Sequence, residues 1–443
     1  MLIEISITNF RSFREKQTFS LLPFGKIRER EIKVLQPLNY PKVQVLPSAV
    51  LYGPNNSGKS NFINAFKALE WLVLKSGNFN SDQKLFANEY FNFDKQTKDQ
   101  PSTFELDFIT TKGKRYNYQV TFSEKSILKE YLYSYNITAT GKITLNTLFE
   151  RNEQLIKFIS LKGAKESVSF EPNQLFLSRG DIAGNTELKD VYSFFSSNLV
   201  SLTFTETEYS NFLTKEYSRF IIENPESEIP KLVESILQET NSGILGIETN
   251  MVDISKIKFP EDISQEIKDR LFEQIKYDLR TRHKLFDGDI EIGTETISLK
   301  EQSTGTRKLI GISPVILGAL VSGQVLLIDE MNTSLHTEIT SWLIELFNNP
   351  ITNPNNAQLI ITTHDISLLD RNLYERDQIF AIEKNEFGAS NMYSFAEFTG
   401  LRKIDNNRLA DFYESGRLGG LPHITKPYLE NLISQFIQNG ETK

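Results

Sequence analysis

Gly53-Pro54-Asn55-Asn56-Ser57-Gly58-Lys59-Ser60 is the stretch on which the reading of this chain turns. It fits G-x-x-x-x-G-K-[ST], the pattern of a phosphate-binding loop. Ser48 to Tyr52, just before it, read as a short buried strand. After it, from Asn61 to Leu74, Phe62, Ile63, Phe66, Leu69 and Leu72 to Leu74 recur near helical spacing. The loop thus stands between a strand and a helix N-terminus. Backbone N–H groups and the positive end of a helix dipole face an anion there. Lys59 is placed to reach β- and γ-phosphates, and the Ser60 hydroxyl to ligate Mg²⁺. An accidental Gly-rich turn is the alternative, and the flanking strand and helix argue against it.

A chain of 443 residues is too long for one simple core, so two or three substructures are expected. Hydrophobic residues make up 39% and charged residues 24%, the balance of an ordinary globular protein. No apolar run reads as a membrane span. Met1 to Ile7 alternates like a strand and lacks the basic start of a signal peptide. There are no cysteines, so disulfides and thiolate metal sites are excluded. A cytoplasmic protein without membrane attachment is expected. The net charge of −8 argues against a broad electrostatic footprint for nucleic acid and leaves room for a local basic groove.

Outward from the loop, residues 1–24 read as a hairpin, with a turn around Asn9 to Ser12. Residues 25–44 and 76–102 read as loop. From Thr103 to Phe170 the period is two: Phe104, Leu106 and Phe108, then Tyr116, Tyr118, Val120 and Phe122, then Tyr131, Tyr133, Tyr135 and Ile137. Turns at Lys112 to Lys114 and Thr140 to Lys142 complete the pattern of an antiparallel sheet. Residues 172–285 turn helical, with apolar stripes at Val191, Phe194, Phe195 and Leu199, at Leu232, Ile236 and Leu237, and at Ile263, Ile267, Leu271 and Ile275. After Ile290 the pattern is α/β, with buried strands at Val325 to Ile328, Leu359 to Ile361 and Ile379 to Ile382. The expected fold is α/β. Residues 1–75 form the N-terminal part of a core with the phosphate loop, and 76–171 an antiparallel β subdomain. Residues 172–290 form a helical insertion, and 291–443 complete the core.

The strand Val325 to Ile328 runs into Asp329 and Glu330. Asp329 suits Mg²⁺, directly or through water, and Glu330 suits polarising the water that attacks a γ-phosphate. Buried strands often end in acids; the preceding phosphate loop gives this pair its meaning. Thr362-Thr363-His364-Asp365 closes the next apolar run. His364 can contact the γ-phosphate or the attacking water, or rest on a backbone carbonyl. Glu301-Gln302-Ser303-Thr304-Gly305-Thr306 opens the helix before the acidic strand, and Ser303 suits its N-cap. This is an anion site or an ordinary capped helix. In a head-to-tail dimer it could close over the other chain's nucleotide.

In this order these motifs resemble the ABC-type ATPases of the SMC and RecF group. The likeness extends to the stand-alone AAA-class ATPases of the RloA and AbiL type. These include the ATPase subunit of PARIS anti-phage systems and are related to the OLD ATPase domain. Asn9-Phe10-Arg11-Ser12-Phe13, Asp329 to His336, Thr363 to Asp365, Arg376 to Ile379 and Gly416 to Pro422 support the resemblance; residues 140–290 match only loosely. It implies an ABC-type head that holds ATP and Mg²⁺ between two subunits, as a head-to-tail dimer or higher oligomer. Gly53, Pro54, Asn55, Asn56, Ser57, Gly58, Lys59, Ser60 and Asn61 would cradle the nucleotide, with Arg11 at its edge. Asp329 and Ser60 would hold the metal, and Glu330 and His364 would serve hydrolysis. Ser303 and Gly305 would come from the partner as the signature motif, and Asn332 to Leu335 would cross the interface. It also implies an effector encoded nearby, such as a Toprim-type nuclease or a toxin, and a phage protein or DNA as trigger. The signature has one glycine where transporters have two, and Thr337 replaces a usual proline. The Gln-bearing loop is not placed, with Asn92 and Gln119 in its region.

The rival reading is a RecF-like repair ATPase that binds DNA directly, and the weakest is an interaction protein that hardly hydrolyses ATP. His283, His336, His364 and His423 have no metal-ligand spacing. Arg280-Thr281-Arg282-His283-Lys284 reads as a phosphate contact or, more simply, as a solvated helix end. The Tyr131 to Tyr135 stripe reads as one face of a packed sheet. Neither a Toprim constellation nor a long heptad run is visible.

Overall fold

In the computed structural model, residues 1–24, 34–37, 39–137, 143–161, 169–179, 184–203, 206–240, 243–252, 264–370, 373–398, 408–421 and 426–440 are described. β1 (Leu2–Thr8) buries Ile3, Ile5 and Ile7 and pairs antiparallel with β2 (Gln17–Ser20). Between them Asn9 and Arg11 take left-handed φ values of 48° and 50°. β3 (Ser48–Tyr52) is buried along its whole length, as a strand covered on both faces must be. α1 (Lys59–Lys75) buries a stripe of Phe62, Ile63, Phe66, Leu69, Leu72 and Val73.

β4 (Ser102–Ile109), β5 (Arg115–Phe122), β6 (Ile127–Ile137), β7 (Ile143–Asn152) and β8 (Leu155–Phe158) form an antiparallel meander. β1 pairs with β4, so the sheet has seven strands in the order β2-β1-β4-β5-β6-β7-β8. Residues before 75 therefore serve both layers, not the core sheet alone. The Thr140 to Lys142 turn lies outside the described residues.

α2 (Thr186–Ser193), capped by the Asn185 side chain, leads through a π turn into β9 (Leu199–Leu202). α3 (Glu206–Glu223) and α4 (Ile229–Glu239) follow, then β10 (Gly246–Met251), α5 (Gln265–Ile275), β11 (Tyr277–Asp287) and β12 (Ile290–Ser298). The expectation of a helical insertion over 172–290 needs correction. β10 and β11 lie there and, with β12 just beyond, form a three-stranded antiparallel sheet, and β9 joins the core. Charged side chains hid the alternation. Leu279 and Thr281 point inward while Arg280 and Arg282 fill the opposite face. The basic cluster is thus part of a strand rather than a helix end, and Arg282 meets Glu248 at 3.4 Å and Lys284 meets Glu291 at 2.7 Å. Two stripes also differ: Leu232 and Ile267 are exposed, α4 buries Val233, Ile236 and Leu237 instead, and Ile263 lies outside the described residues.

α6 (Thr304–Ser322), β13 (Val325–Ile328), α7 (Thr337–Asn348), β14 (Gln358–Thr362), β15 (Ile379–Lys384) and β16 (Ser390–Ser394) complete the core, followed by α8 (Leu409–Glu414) and α9 (Lys426–Gly440). The core sheet runs β16-β15-β3-β14-β13-β9, all parallel except edge strand β16. α6 is by length and composition apolar enough to cross a membrane, where none was expected. It is half buried and packs on α3, α4 and β13 as a helix of the core.

Successive residues of the core strands face opposite clusters. Ala49, Leu51, Leu327, Ile360 and Phe380 pack with α1 and the antiparallel sheet. Val50, Tyr52, Leu326, Ile328, Leu359 and Ile361 pack with α6 and α7. The buried Gln358 amide ties the layers: it accepts from Leu2 N–H at 2.6 Å and donates to Leu2 O at 2.9 Å and Leu46 O at 3.2 Å. The fold is α/β, with a largely parallel core sheet and an antiparallel second sheet.

Candidate active site

The loop after β3 is shaped by its glycines and its neighbours. Gly58 has φ of 120°, and a Cβ there would stand 2.4 Å from Ser390 Oγ and 2.8 Å from Ser12 Oγ. Any side chain at Gly58 would therefore open the loop. Ser390 Oγ donates to Ser57 O, and Ser390 N–H to Ser12 O at 2.7 Å. Lys384 Nζ donates to Asn56 Oδ1 at 3.1 Å. Asn61 Nδ2 donates to Ser12 Oγ at 2.8 Å, and Arg11 reaches Asn61 Oδ1 at 3.4 Å while its guanidinium pairs with Glu89. Arg11 thus sits beside the loop as a brace on Asn61.

This loop has room for an anion. α1 starts at Gly58 with no side-chain cap and no acidic residue in its first turn, so its first N–H groups are left for a ligand. The buried Ser57 hydroxyl has no hydrogen-bond partner among the described residues. Asn55, Asn56 and Ser60 are exposed, and Pro54 is half-buried. Lys59 is buried, and its Nζ donates to Gly53 O at 2.9 Å and Pro54 O at 3.2 Å. Burial pulls its pKa below the usual lysine range, with Glu330 and Asp329 acting against that.

The acidic residues stand one strand away. β14 lies between β3 and β13, so the end of β14 can touch both. Thr362 Oγ1 donates to Asp329 Oδ1 at 2.5 Å and accepts from Glu330 N–H at 2.8 Å. Glu330 holds a left-handed φ of 50°. His364 Nε2 lies 2.9 Å from Glu330 Oε1. Burial raises the Glu330 carboxyl, but His364, Lys59 and Lys308 outweigh it and leave it below the usual carboxylate range. Beyond, Thr363 Oγ1 donates to Asn332 Oδ1 at 2.7 Å and Thr337 Oγ1 to Asp365 Oδ2 at 2.6 Å. Thr337 thus holds the turn after His364, a bond the usual proline could not make.

Ser303 caps α6 and accepts from Thr306 N–H at 3.2 Å. Ser303, Gly305 and Thr306 line a cleft of about 210 Å³ with Ser334, Leu335 and His336. A Cβ on Gly305 would stand 2.4 Å from Ser334 O, so the glycine permits close approach of the Asn332 to Leu335 turn. The walls of this cleft include none of the phosphate-loop residues. The fold gathers Lys59, Asp329, Glu330 and His364 on one side, and Ser303 and Gly305 on another. Gln119 lies within β5, its amide donating to Asn117 Oδ1 at 3.2 Å, and Asn92 is exposed. Sequence reasoning missed Ser12, Ser390, Lys308 and the double role of Thr362. Ser12 and Thr362 stand inside quoted motifs, but neither spacing disclosed what they touch.

No curated protein matches the chain. Among solved structures it resembles an SMC head domain from Thermotoga maritima at 12% identity and TM-score 0.36, covering 89% of this chain and 98% of that one. An SMC head bound to the C-terminal winged-helix domain of ScpA gives 12% identity and TM-score 0.44, with 89% and 97% covered. The recombination mediator RecF with ATP gives 13% identity and TM-score 0.37, with 89% and 99% covered. Residues 48–370, which span β3 to the segment after His364, match the family model described as "AAA domain, putative AbiEii toxin, Type IV TA system". The chain belongs to this family of AAA-domain ATPases.

Proposed function

We propose that this chain binds ATP with Mg²⁺ and hydrolyses it at a site completed by a second subunit. The observation that carries this reading is the convergence of Lys59, Asp329, Glu330 and His364 at the ends of the adjacent strands β3, β13 and β14. The uncapped start of α1 takes the phosphates, with Lys59 on the β- and γ-phosphates and Asn61 and Arg11 at the rim. Ser60 and Asp329 would hold Mg²⁺, which would supply charge neutralisation at the phosphates. Glu330, kept ionised by its neighbours, orients and polarises the attacking water. His364 holds the Glu330 carboxylate and contacts the γ-phosphate. Ser303 and Gly305 face outward in their own cleft, suited to closing over the partner's nucleotide in a head-to-tail dimer or larger homo-oligomer.

On this reading the protein is a cytoplasmic ATPase of the RloA, AbiL and PARIS type. It acts as sensor and scaffold in anti-phage defence and controls an effector such as a Toprim-type nuclease or a toxin. The family description, which names a toxin–antitoxin system, supports that direction. A RecF-like ATPase acting directly on DNA is the rival. The paired charges of β11 give it no support.

Tagged Glu330→Gln protein, purified from its native cells with ATP and nuclease present, tests both. A higher native mass with ATP and a stoichiometric second protein support the sensor reading. Recovery of the protein alone, with wild-type turnover that requires DNA, moves the assignment to the repair reading. Lys59→Ala should lose nucleotide binding, and tight ATP binding by that variant refutes the site.

A further inference from the structure

Lys308 lies on α6, on the turn after the Ser303 cap, and is only 6% exposed. A buried ammonium needs partners. Its Nζ donates to Glu330 O at 3.0 Å and to Thr333 O at 2.8 Å. Both carbonyls belong to the turn that follows the acidic strand. That turn is conformationally unusual: Glu330 and Ser334 hold left-handed φ values of 50° and 63° without being glycine. Such backbone persists where its surroundings over-determine it. Besides the Thr333 N–H that its own turn places on its carbonyl, three side chains hold Glu330. Thr362 takes its N–H, His364 its carboxylate and Lys308 its carbonyl. The first two come from β14 and its end. Only Lys308 comes from the helix that carries Ser303 and Gly305. The same helix touches the turn a second time, where Gly305 lies against Ser334 O.

We infer that Lys308 is a positioning residue: it fastens the turn bearing Glu330 to the helix bearing Ser303 and Gly305, so that engagement of those two by a partner's nucleotide sets Glu330 in the chain's own site. This rests on the intersubunit reading above. It adds the physical link between the two ATP sites of a dimer. A nucleotide docking on Ser303 to Thr306 shifts the start of α6, and a rigid two-carbonyl anchor carries that shift to residues 330–334.

The chain has no cysteine, so Lys308→Cys introduces one thiol, which 2-bromoethylamine converts to a side chain of lysine length with its ammonium restored. We expect Lys308→Met to bind ATP within about threefold of wild type while kcat falls about tenfold or more. Aminoethylated Lys308→Cys should regain most of kcat. Wild-type kcat and KM in Lys308→Met overturn the inference, and so does a loss confined to ATP affinity. Hydrogen exchange on the unmodified protein gives a second test should either variant fail to fold. A non-hydrolysable ATP analogue should slow exchange at Thr306 and Arg307 together with Thr333 and Leu335, whose amides bond Glu330 O and Asn332 O. Slowing at the first pair without the second overturns the link. Failure of the site itself shows separately, as wild-type protein that binds no ATP.

Discussion

Thr362→Val keeps the shape of a fully buried side chain and removes one hydroxyl. That hydroxyl donates to Asp329 Oδ1 at 2.5 Å and accepts from Glu330 N–H at 2.8 Å. Two effects follow. A hydrogen bond to a charged carboxylate contributes about 1.5–3 kcal/mol, and an unsatisfied buried N–H costs a further ~1–3 kcal/mol. If the carboxylate bond matters to the transition state in full, its loss lowers kcat by about 10- to 150-fold, since ~1.4 kcal/mol is a decade. The phosphate loop is untouched, so ATP affinity should change little. Steady-state hydrolysis at saturating ATP and a binding titration separate these quantities. Thr362→Ser, which keeps the hydroxyl, is the control and should stay near wild type. Wild-type kcat in Thr362→Val would refute the claim that β14 positions the acidic pair. An equal loss in Thr362→Ser would show that packing, not the hydroxyl, is at stake.

Burial lifts the Glu70 carboxyl from its usual 4.5 to about 7, partly offset by Lys67. The folded chain therefore keeps this proton to higher pH than the unfolded one, and its stability falls as pH rises from about 4.5 to about 7. Glu70→Gln should stabilise by about 2 kcal/mol at pH 8, after discounting for partial exposure, and by nothing near pH 4; a gain independent of pH contradicts this. Arg151→Met leaves Glu130 buried with Tyr118 OH and the Phe176 and Leu177 amides as its remaining donors. It should lower stability by about 3–5 kcal/mol, read in thermal unfolding. Adding Glu130→Gln should recover part of that loss, and a single variant as stable as wild type would show that the pair is not needed.

The sequence exposed those parts of the site that are local. The phosphate loop carries its mechanism in consecutive residues, and Asp329, Glu330 and His364 each end an apolar run long enough to read as a buried strand. What stayed hidden depends on which strands lie side by side. Nothing in the spacing of Thr362 and Asp329 says that β14 sits between β3 and β13, so the hydroxyl bridging both acids was invisible. The same holds for Ser12 and Ser390, which meet at Gly58 only because β15–β16 folds beside the N-terminal turn. β1 was legible as a strand but not as a member of the antiparallel sheet, since its partner β4 is about 100 residues away. β10 and β11 were missed because Glu248 and Asn250 in the first, and Arg280 and Arg282 in the second, break up the apolar pattern and mimic a polar helix face.

These hidden contacts share a pattern. Glu330 is the one proposed reactive residue whose backbone is strained, and its three side-chain holds come from two elements, Thr362 and His364 from β14 and its end and Lys308 from α6. Were the site built only to bind ATP, the phosphate loop with Asp329 would suffice, and a relaxed Glu330 would cost nothing. Holding it in a left-handed conformation costs roughly 1–2 kcal/mol. These holds offset that cost, so weakening one is expected to loosen the carboxylate. Two holds answer to the chain's own strand, and the third to the helix proposed to meet a partner. On the proposed intersubunit reading, such a base would act when the second subunit is in place and idle when it is not, which is the behaviour the proposed sensor role requires.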